Sequence, residues 1–307
     1  TTPNLTFSSS ENGTISYGGS CSSSTTQAIS GNNVVTFSTL TEGTYDNCTI
    51  SVVDGARNLS GALTVDNFTI DVTSPTLSLG SPSSSLTKSG PVTFTVSYTG
   101  ASTVSLSTDT VTVTSTDNAS AGGTSVSGSG TGTRTVTLSN LTGDGTLSIS
   151  LASGTASDEA GNQALSAGPS SSFTVDNSGP SGTVAIAKEV QNTDNTTTLT
   201  LTLTASDNAT VSAYYVGDNS TQPTSSQFTA LSSPATAFSD NISYSLAGSG
   251  TRTVYAWFMD PLANITSTPV TATTLAENTA PTLSSVSLSS SGSDPKHAKS
   301  GDNLNLS

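Results

Sequence analysis

The residues best suited to chemistry in this chain are oxygen donors, arranged as three copies of Asp-x-x-x-Asn, each following an apolar run. They read Val53-Asp54-Gly55-Ala56-Arg57-Asn58, Ser157-Asp158-Glu159-Ala160-Gly161-Asn162 and Met259-Asp260-Pro261-Leu262-Ala263-Asn264. The starting aspartates are 104 and 102 residues apart, and 17 or 18 residues beyond each stands an acid just ahead of a proline: Asp71 before Pro75, Asp176 before Pro180, Glu277 before Pro281. Calcium takes six to eight oxygen ligands from carboxylates, Asn amides and loop carbonyls. Three candidate ligand sets follow: Asp54, Asn58 and Asp71; Asp158, Asn162 and Asp176; Asp260, Asn264 and Glu277. The competing reading is that each Asp and Asn caps its own turn. Asp207, in Ser206-Asp207-Asn208-Ala209, is a further acid where the approximate equivalent one repeat earlier is Gly100-Ala101. It could add a ligand, or simply make a turn. No EF-hand loop or Gly-Gly-x-Gly-x-Asp array accompanies these residues.

Other chemistry is poorly supplied. The single histidine, His297, lies between Lys296 and Lys299 near the C-terminus, which leaves the rest of the chain without the base that a Ser-His-Asp or Cys-His arrangement needs. Zinc sites need clustered His and Cys. Paired acids for glycoside hydrolysis exist by count, but small sandwich repeats with 5% aromatic residues offer little cleft for a sugar. The expectation is a protein that is not an enzyme. Tyr214, Tyr215, Tyr255 and Trp257 are the candidates for a carbohydrate platform, with Trp257 expected in the core and one of the adjacent Tyr214 and Tyr215 rings outward. Cys21 and Cys48, with 26 residues between them, suit a disulfide made in an oxidising compartment, the alternative being two buried thiols. Sequons such as Asn4-Leu5-Thr6, Asn140-Leu141-Thr142 and Asn241-Ile242-Ser243 arise by chance in such a composition.

The elements that must position these residues are strands. Ser and Thr make up roughly 38% of the chain and hydrophobic residues 32%, values that would suit disorder if they were spread without pattern. They alternate instead. Val92-Thr93-Phe94-Thr95-Val96-Ser97-Tyr98 puts apolar side chains on one face and hydroxyls on the other, and the period recurs at 111–113, 135–138, 147–151 and 199–203. Residues 254–259 are apolar on both faces, as a central strand would be. Glycine turns at Glu42-Gly43-Thr44, Asp144-Gly145-Thr146 and Ser249-Gly250-Thr251 precede each motif by 10 to 13 residues. Each repeat thus ends alike: glycine turn, strand, Asp-x-x-x-Asn loop, final strand, acid and proline.

A fixed repeat sets architecture before function. The expected units are 1–72, carrying the Cys pair, 73–177 and 178–277, with 278–307 opening a fourth. A net charge of −14 with seven Lys plus Arg disfavours nucleic acid and anionic membrane surfaces and favours cations. No apolar run reaches 18 residues, so no membrane insertion is expected within this segment. The N-terminus carries no signal peptide pattern, and Asn303-Leu304-Asn305-Leu306-Ser307 looks like an opening strand, so the sequence is taken as an excerpt of a longer secreted chain.

The ending Asp-x-Ala-Gly-Asn at 158–162, followed by Phe173-Thr174-Val175-Asp176 and a proline-led restart, resembles the immunoglobulin-like and cadherin-like tandem repeats of large bacterial cell-surface proteins and adhesins. Phe68-Thr69-Ile70-Asp71 and Thr279-Ala280-Pro281-Thr282-Leu283 are similar signatures. The resemblance implies tandem immunoglobulin-like β-sandwiches set end to end as a rod, an extracellular or cell-surface location, and a structural stalk or fibre supporting adhesion or assembly. Alternatives are a repeat that binds a glycan or host protein, a self-assembling surface-layer or tube subunit, and an accessory segment of a secreted hydrolase. Partners would be neighbouring repeats, a surface glycan or protein, or copies of itself. No cofactor is required by this reading; structural calcium is the one to test.

Overall fold

The computed structural model describes residues 1–191, 196–276, 288–290 and 304–306. Among them every regular element is a strand, apart from two single 3₁₀ turns at Thr108–Thr110 and Ser225–Gln227. The chain is all-β. It divides into two compact units, Thr1–Val175 and Asp176–Ser307.

In the first unit the alternation seen in the sequence becomes burial. Along Val92–Thr99 every apolar residue points inward, with Val92, Phe94 and Val96 fully buried and Tyr98 nearly so, while the threonines between them stay wetter. That strand lies between Thr133–Thr142 and Thr76–Leu79, and Ser120–Ser127 completes a four-stranded sheet. A second four-stranded sheet runs Leu86–Thr87, Phe173–Val175, Gly145–Leu151, Val111–Ser115. Phe94, Val136 and Leu138 from one sheet share a single buried cluster with Leu147, Ile149, Leu151 and Phe173 from the other. Two sheets closing on one core make a β-sandwich, each fully buried large side chain contributing about 1.5–3 kcal/mol. Residues 5–70 build smaller clusters. Phe7, Ile15, Val35 and Ile50 form one, and Phe37, Leu40 and Ile70 surround Cys21 and Cys48 in another. The two cysteines are bonded to each other.

In the second unit a 22-residue strand, Thr196–Gly217, lies at the heart of a five-stranded sheet. Its first half pairs with Ser181–Gln191 and its last residues with Gly250–Met259, while Thr229–Ala247 follows it along the other edge. Val270–Ala276 continues the ladder from Gly250–Met259. Ser181–Gln191 also touches Gly250–Met259 and Val270–Ala276 without pairing to them, so the ladder folds over on itself. Leu199, Leu201 and Leu203 then meet Val254, Ala256 and Phe258 inside. Trp257 is buried at 3% exposure, and Gly250–Met259 is central, as its two-faced apolar run requires. The glycines of the three expected turns, Gly43, Gly145 and Gly250, all have positive φ. Glu277, His297, Pro281 and most of the expected 278–307 repeat lie outside the described residues.

Candidate functional site

The three Asp-x-x-x-Asn motifs fold into the same hairpin tip. In each, the Asp N–H donates to the Asn carbonyl at 3.1 Å, closing a loop between strands that bridge again just beyond it at Val53–Leu59, Ser157–Gln163 and Met259–Ile265. The Asn backbone N–H donates to the Asp Oδ1 at 2.8 Å in all three. The Asn Nδ2 donates to Oδ2 at 2.9, 2.9 and 2.7 Å in turn. The fourth residue must adopt a left-handed conformation for the loop to close: Arg57, Gly161 and Ala263 have φ of 71°, 89° and 59°. Glycine does this without strain and the other two do not. The spacing of the motif is therefore that of a self-capping turn.

These donors stabilise the ionised carboxylates. The Asn58 side chain, then the backbone N–H groups of Asn58, Ala56 and Arg57, hold Asp54 below the usual carboxylate range, against some desolvation. At Asp158 desolvation pushes upward, but the Asn162 side chain and the N–H groups of Asn162, Gly161 and Ala160 together outweigh it and lower the value.

The same Asn amides reach a long way back along the sequence. Asn162 Nδ2 also donates to the main-chain carbonyl of Asp71 at 3.0 Å, and Asn264 Nδ2 to that of Asp176 at 3.2 Å. The structure therefore groups the two described junction acids, Asp71 and Asp176, with the motif that follows each, whereas the sequence sets paired them with the motif before. Asp71 lies with Asp158 and Asn162, and Asp176 with Asp260 and Asn264. Both contacts join residues 91 and 88 apart, a closeness made by tertiary folding that proximity in sequence hides. Asp54 and Asn58 stay on a surface loop, in a small groove with Glu11 and Ser60. Within the first unit Asp71, Asp158 and Glu42 line an open cavity of about 550 Å³ together with Gly100. There the Asp71 Oδ1 accepts the Thr73 N–H at 2.9 Å, and Glu42 accepts the Thr73 hydroxyl at 2.7 Å.

The second unit differs. Asp176, Asp207 and Asp260 bring carboxylate oxygens within 4.8 Å of one another. Asp176 is fully buried and Asp260 is 1% exposed. Desolvation, then the negative charges of Asp207 and Asp260, push the Asp176 carboxyl up to about 7, with the Ser178 N–H opposing. Asp207 owes its place to a break in the long strand. Between Ser206 and Val211 the register against Thr229–Ala247 shifts, and over the same stretch the strand changes its other partner from Ser181–Gln191 to Gly250–Met259. An irregularity of this kind turns side chains out of the ladder, here toward the end of the Gly250–Met259 strand. The Ser206-Asp207-Asn208-Ala209 signal was visible in sequence; its partners were not.

Two of the aromatic candidates are committed to packing against other rings. Tyr214 stacks on Phe238 and Tyr215 packs obliquely on Phe228, with centroids 6.2 Å apart in both pairs.

Fold and site together define an all-β sandwich chain whose hairpin tips carry three self-capped Asp-Asn pairs, two of which also hold a main-chain carbonyl far upstream in the sequence. No family model matches this chain, and no curated protein matches it. Among solved structures it is similar to FdeC, an Escherichia coli adhesin described as broadly conserved and as eliciting protection against urinary tract infections. The identity is 16%, the coverage 86% of each chain and the TM-score 0.33. A likeness of that degree decides nothing about function.

Proposed function

We propose that this segment is a non-enzymatic structural stalk of a cell-surface or extracellular protein, its immunoglobulin-like sandwiches following one another end to end. The observation that carries the reading is the repeated clasp. Two equivalent asparagines, Asn162 and Asn264, fix main-chain carbonyls 91 and 88 residues upstream, at the start of the structure that each motif closes. A clasp at the chain's entry point resists peeling of the first strand, which is what a segment under tension needs. The Cys21–Cys48 bond fits an oxidising, extracellular setting. Abundant Ser and Thr on outward faces keep a long chain soluble at low charge density.

Small-angle scattering tests the arrangement. Three units in line span on the order of 90 Å, which gives a radius of gyration of roughly 26 Å or more. A single compact body of this length would give about 19 Å, and that value would overturn the proposal. Glycan-array screening is expected to return no binding that Tyr214→Ala or Tyr215→Ala removes; specific binding lost in either variant would favour a recognition role instead.

A further inference from the structure

We propose that the first sequence repeat, 1–72, carries an acceptor site for an extended segment of another polypeptide, one in which Leu alternates with Ser or Thr. The site is made of two unpaired strand edges, at Asn4–Ser9 and Phe68–Ile70, and the apolar groove beside the first of them. The inference goes beyond the stalk reading and does not depend on it.

The second repeat, in the same unit, has both of these edges filled. Val92–Thr99 lies between Thr133–Thr142 and Thr76–Leu79, and Phe173–Val175 lies between Gly145–Leu151 and Leu86–Thr87. Asn4–Ser9 is the counterpart of Val92–Thr99: Phe7 stands opposite Asn33 as Val96 stands opposite Arg134, and two residues on Val35 and Val136 are buried alike. Phe68–Ile70 matches Phe173–Val175, with Gly43 opposite Ile70 as Gly145 is opposite Val175. Among the described residues, however, Asn4–Ser9 pairs only with Gly31–Thr36, and Phe68–Ile70 only with Gly43–Tyr45. Residues of an antiparallel ladder alternate between bonding to the partner and facing away from it. The Phe37 N–H donates to the Pro3 carbonyl, so Pro3, Leu5 and Phe7 bond across to Gly31–Thr36, and the main-chain groups of Asn4, Thr6 and Ser8 face outward. Their counterparts are engaged: the Ser83 N–H donates to the Thr93 carbonyl at 2.9 Å and the Gly80 N–H to that of Thr95 at 2.8 Å. In the second unit Ser181–Gln191, which like Thr76–Leu79 directly follows a junction proline, covers one side of Thr196–Gly217.

Side chains specify the occupant. Leu77 and Leu79 stand opposite Tyr98 and Val96 and pack against the core of the second repeat. Beside the matching positions of the first, Ser9 and Phe7, a groove of about 280 Å³ opens, lined further by Ile50, Val52 and Leu63. Two leucines spaced two apart fill such a groove, while the hydroxyl residue between them faces water. The lining holds no charged side chain, which suits an uncharged segment. Nor does Asn4–Ser9 carry the charge, proline or bulge that blunts an edge against pairing with another chain.

The probe is a synthetic peptide with the sequence of residues 73–88, which carries both of the strands that fill these edges in the second repeat. Labelled peptide is titrated into the whole chain and followed by fluorescence anisotropy, with a control peptide carrying Leu77→Asp and Leu79→Asp. Saturable binding is expected for the first peptide and not for the control. At about ten times its dissociation constant the peptide should raise the melting temperature of the first unit by roughly 3–6 °C in calorimetry, and leave the Trp257-monitored melting of the second unit unchanged. The amides of Thr6 and Ser8 should gain protection from hydrogen exchange. Leu63→Asp alters a side chain that is 55% exposed, and Thr6→Pro removes an outward N–H where an edge strand tolerates proline, so both chains should fold and each should bind the peptide about tenfold more weakly or worse. Absence of saturable binding, equal binding of the control peptide, or unchanged affinity in either variant would overturn the proposal. Self-association of the chain that the peptide displaces would also overturn it, since the occupant would then be a second copy.

Discussion

Replacing Asp176 by Asn should stabilise the second unit in chelator at pH 8 and leave it nearly unchanged at pH 4. In the unfolded chain this carboxyl titrates near 3.8, and in the fold it is pushed up to about 7 by burial and by Asp207 and Asp260. The folded form thus holds its proton over a pH range in which the unfolded form has lost it. Stability is complete below about pH 4, falls as pH rises toward 7, and levels off above that. A shift of about three units corresponds to roughly 4 kcal/mol, and relaxation of the two neighbouring carboxylates puts the measurable gain between about 2 and 4 kcal/mol. Asn keeps the shape, loses the charge, and offers an N–H to the carboxylates beside it. For a unit of this size the gain amounts to roughly 6–16 °C in melting temperature. The assay is urea unfolding at pH 4, 6 and 8, read by Trp257, the chain's one tryptophan, buried in the second unit. A variant no more stable than the parent at pH 8, or a parent whose stability does not fall between pH 4 and 7, would refute the reasoning.

Further outcomes follow from the same geometry. Asn264→Ala leaves buried Asp260 Oδ2 and the Asp176 carbonyl without a donor, so the second unit should lose about 1–3 kcal/mol by Trp257-monitored unfolding. Asn162→Ala, at a half-exposed site, should cost the first unit less, as a smaller drop in its calorimetric transition. Ala263→Gly should gain roughly 0.5–1 kcal/mol, since relief of a left-handed Ala exceeds the added entropy of the unfolded chain. The reverse change, Gly161→Ala, should cost the first unit about 1–2 kcal/mol for conformational reasons alone, there being nothing within 4 Å of the added methyl. Opening the Cys21–Cys48 bond, whose residues are 27 apart, should cost about 3.5 kcal/mol, seen as a lower melting temperature of the first unit in reductant.

Much of this architecture is written locally. Alternation of Val, Phe and Leu with Thr along 92–98 and 199–203 determined which faces are buried, because side chains on a strand alternate strictly. The Asp-x-x-x-Asn spacing determined the hairpin tips, since every bond that closes them lies within four residues. Gly43, Gly145 and Gly250 marked turns because positive φ is costly for any other residue.

What spacing could not supply was partnership across the fold. The sequence joined Asp176 to the motif it follows. The tertiary structure joins it to Asn264, 88 residues downstream, and to Asp207 at a register break in the longest strand. Local hydrogen bonds can be read from local order. The meeting of three acids in one buried place depends on how strands exchange partners, a property of the whole ladder that no single segment of the sequence contains.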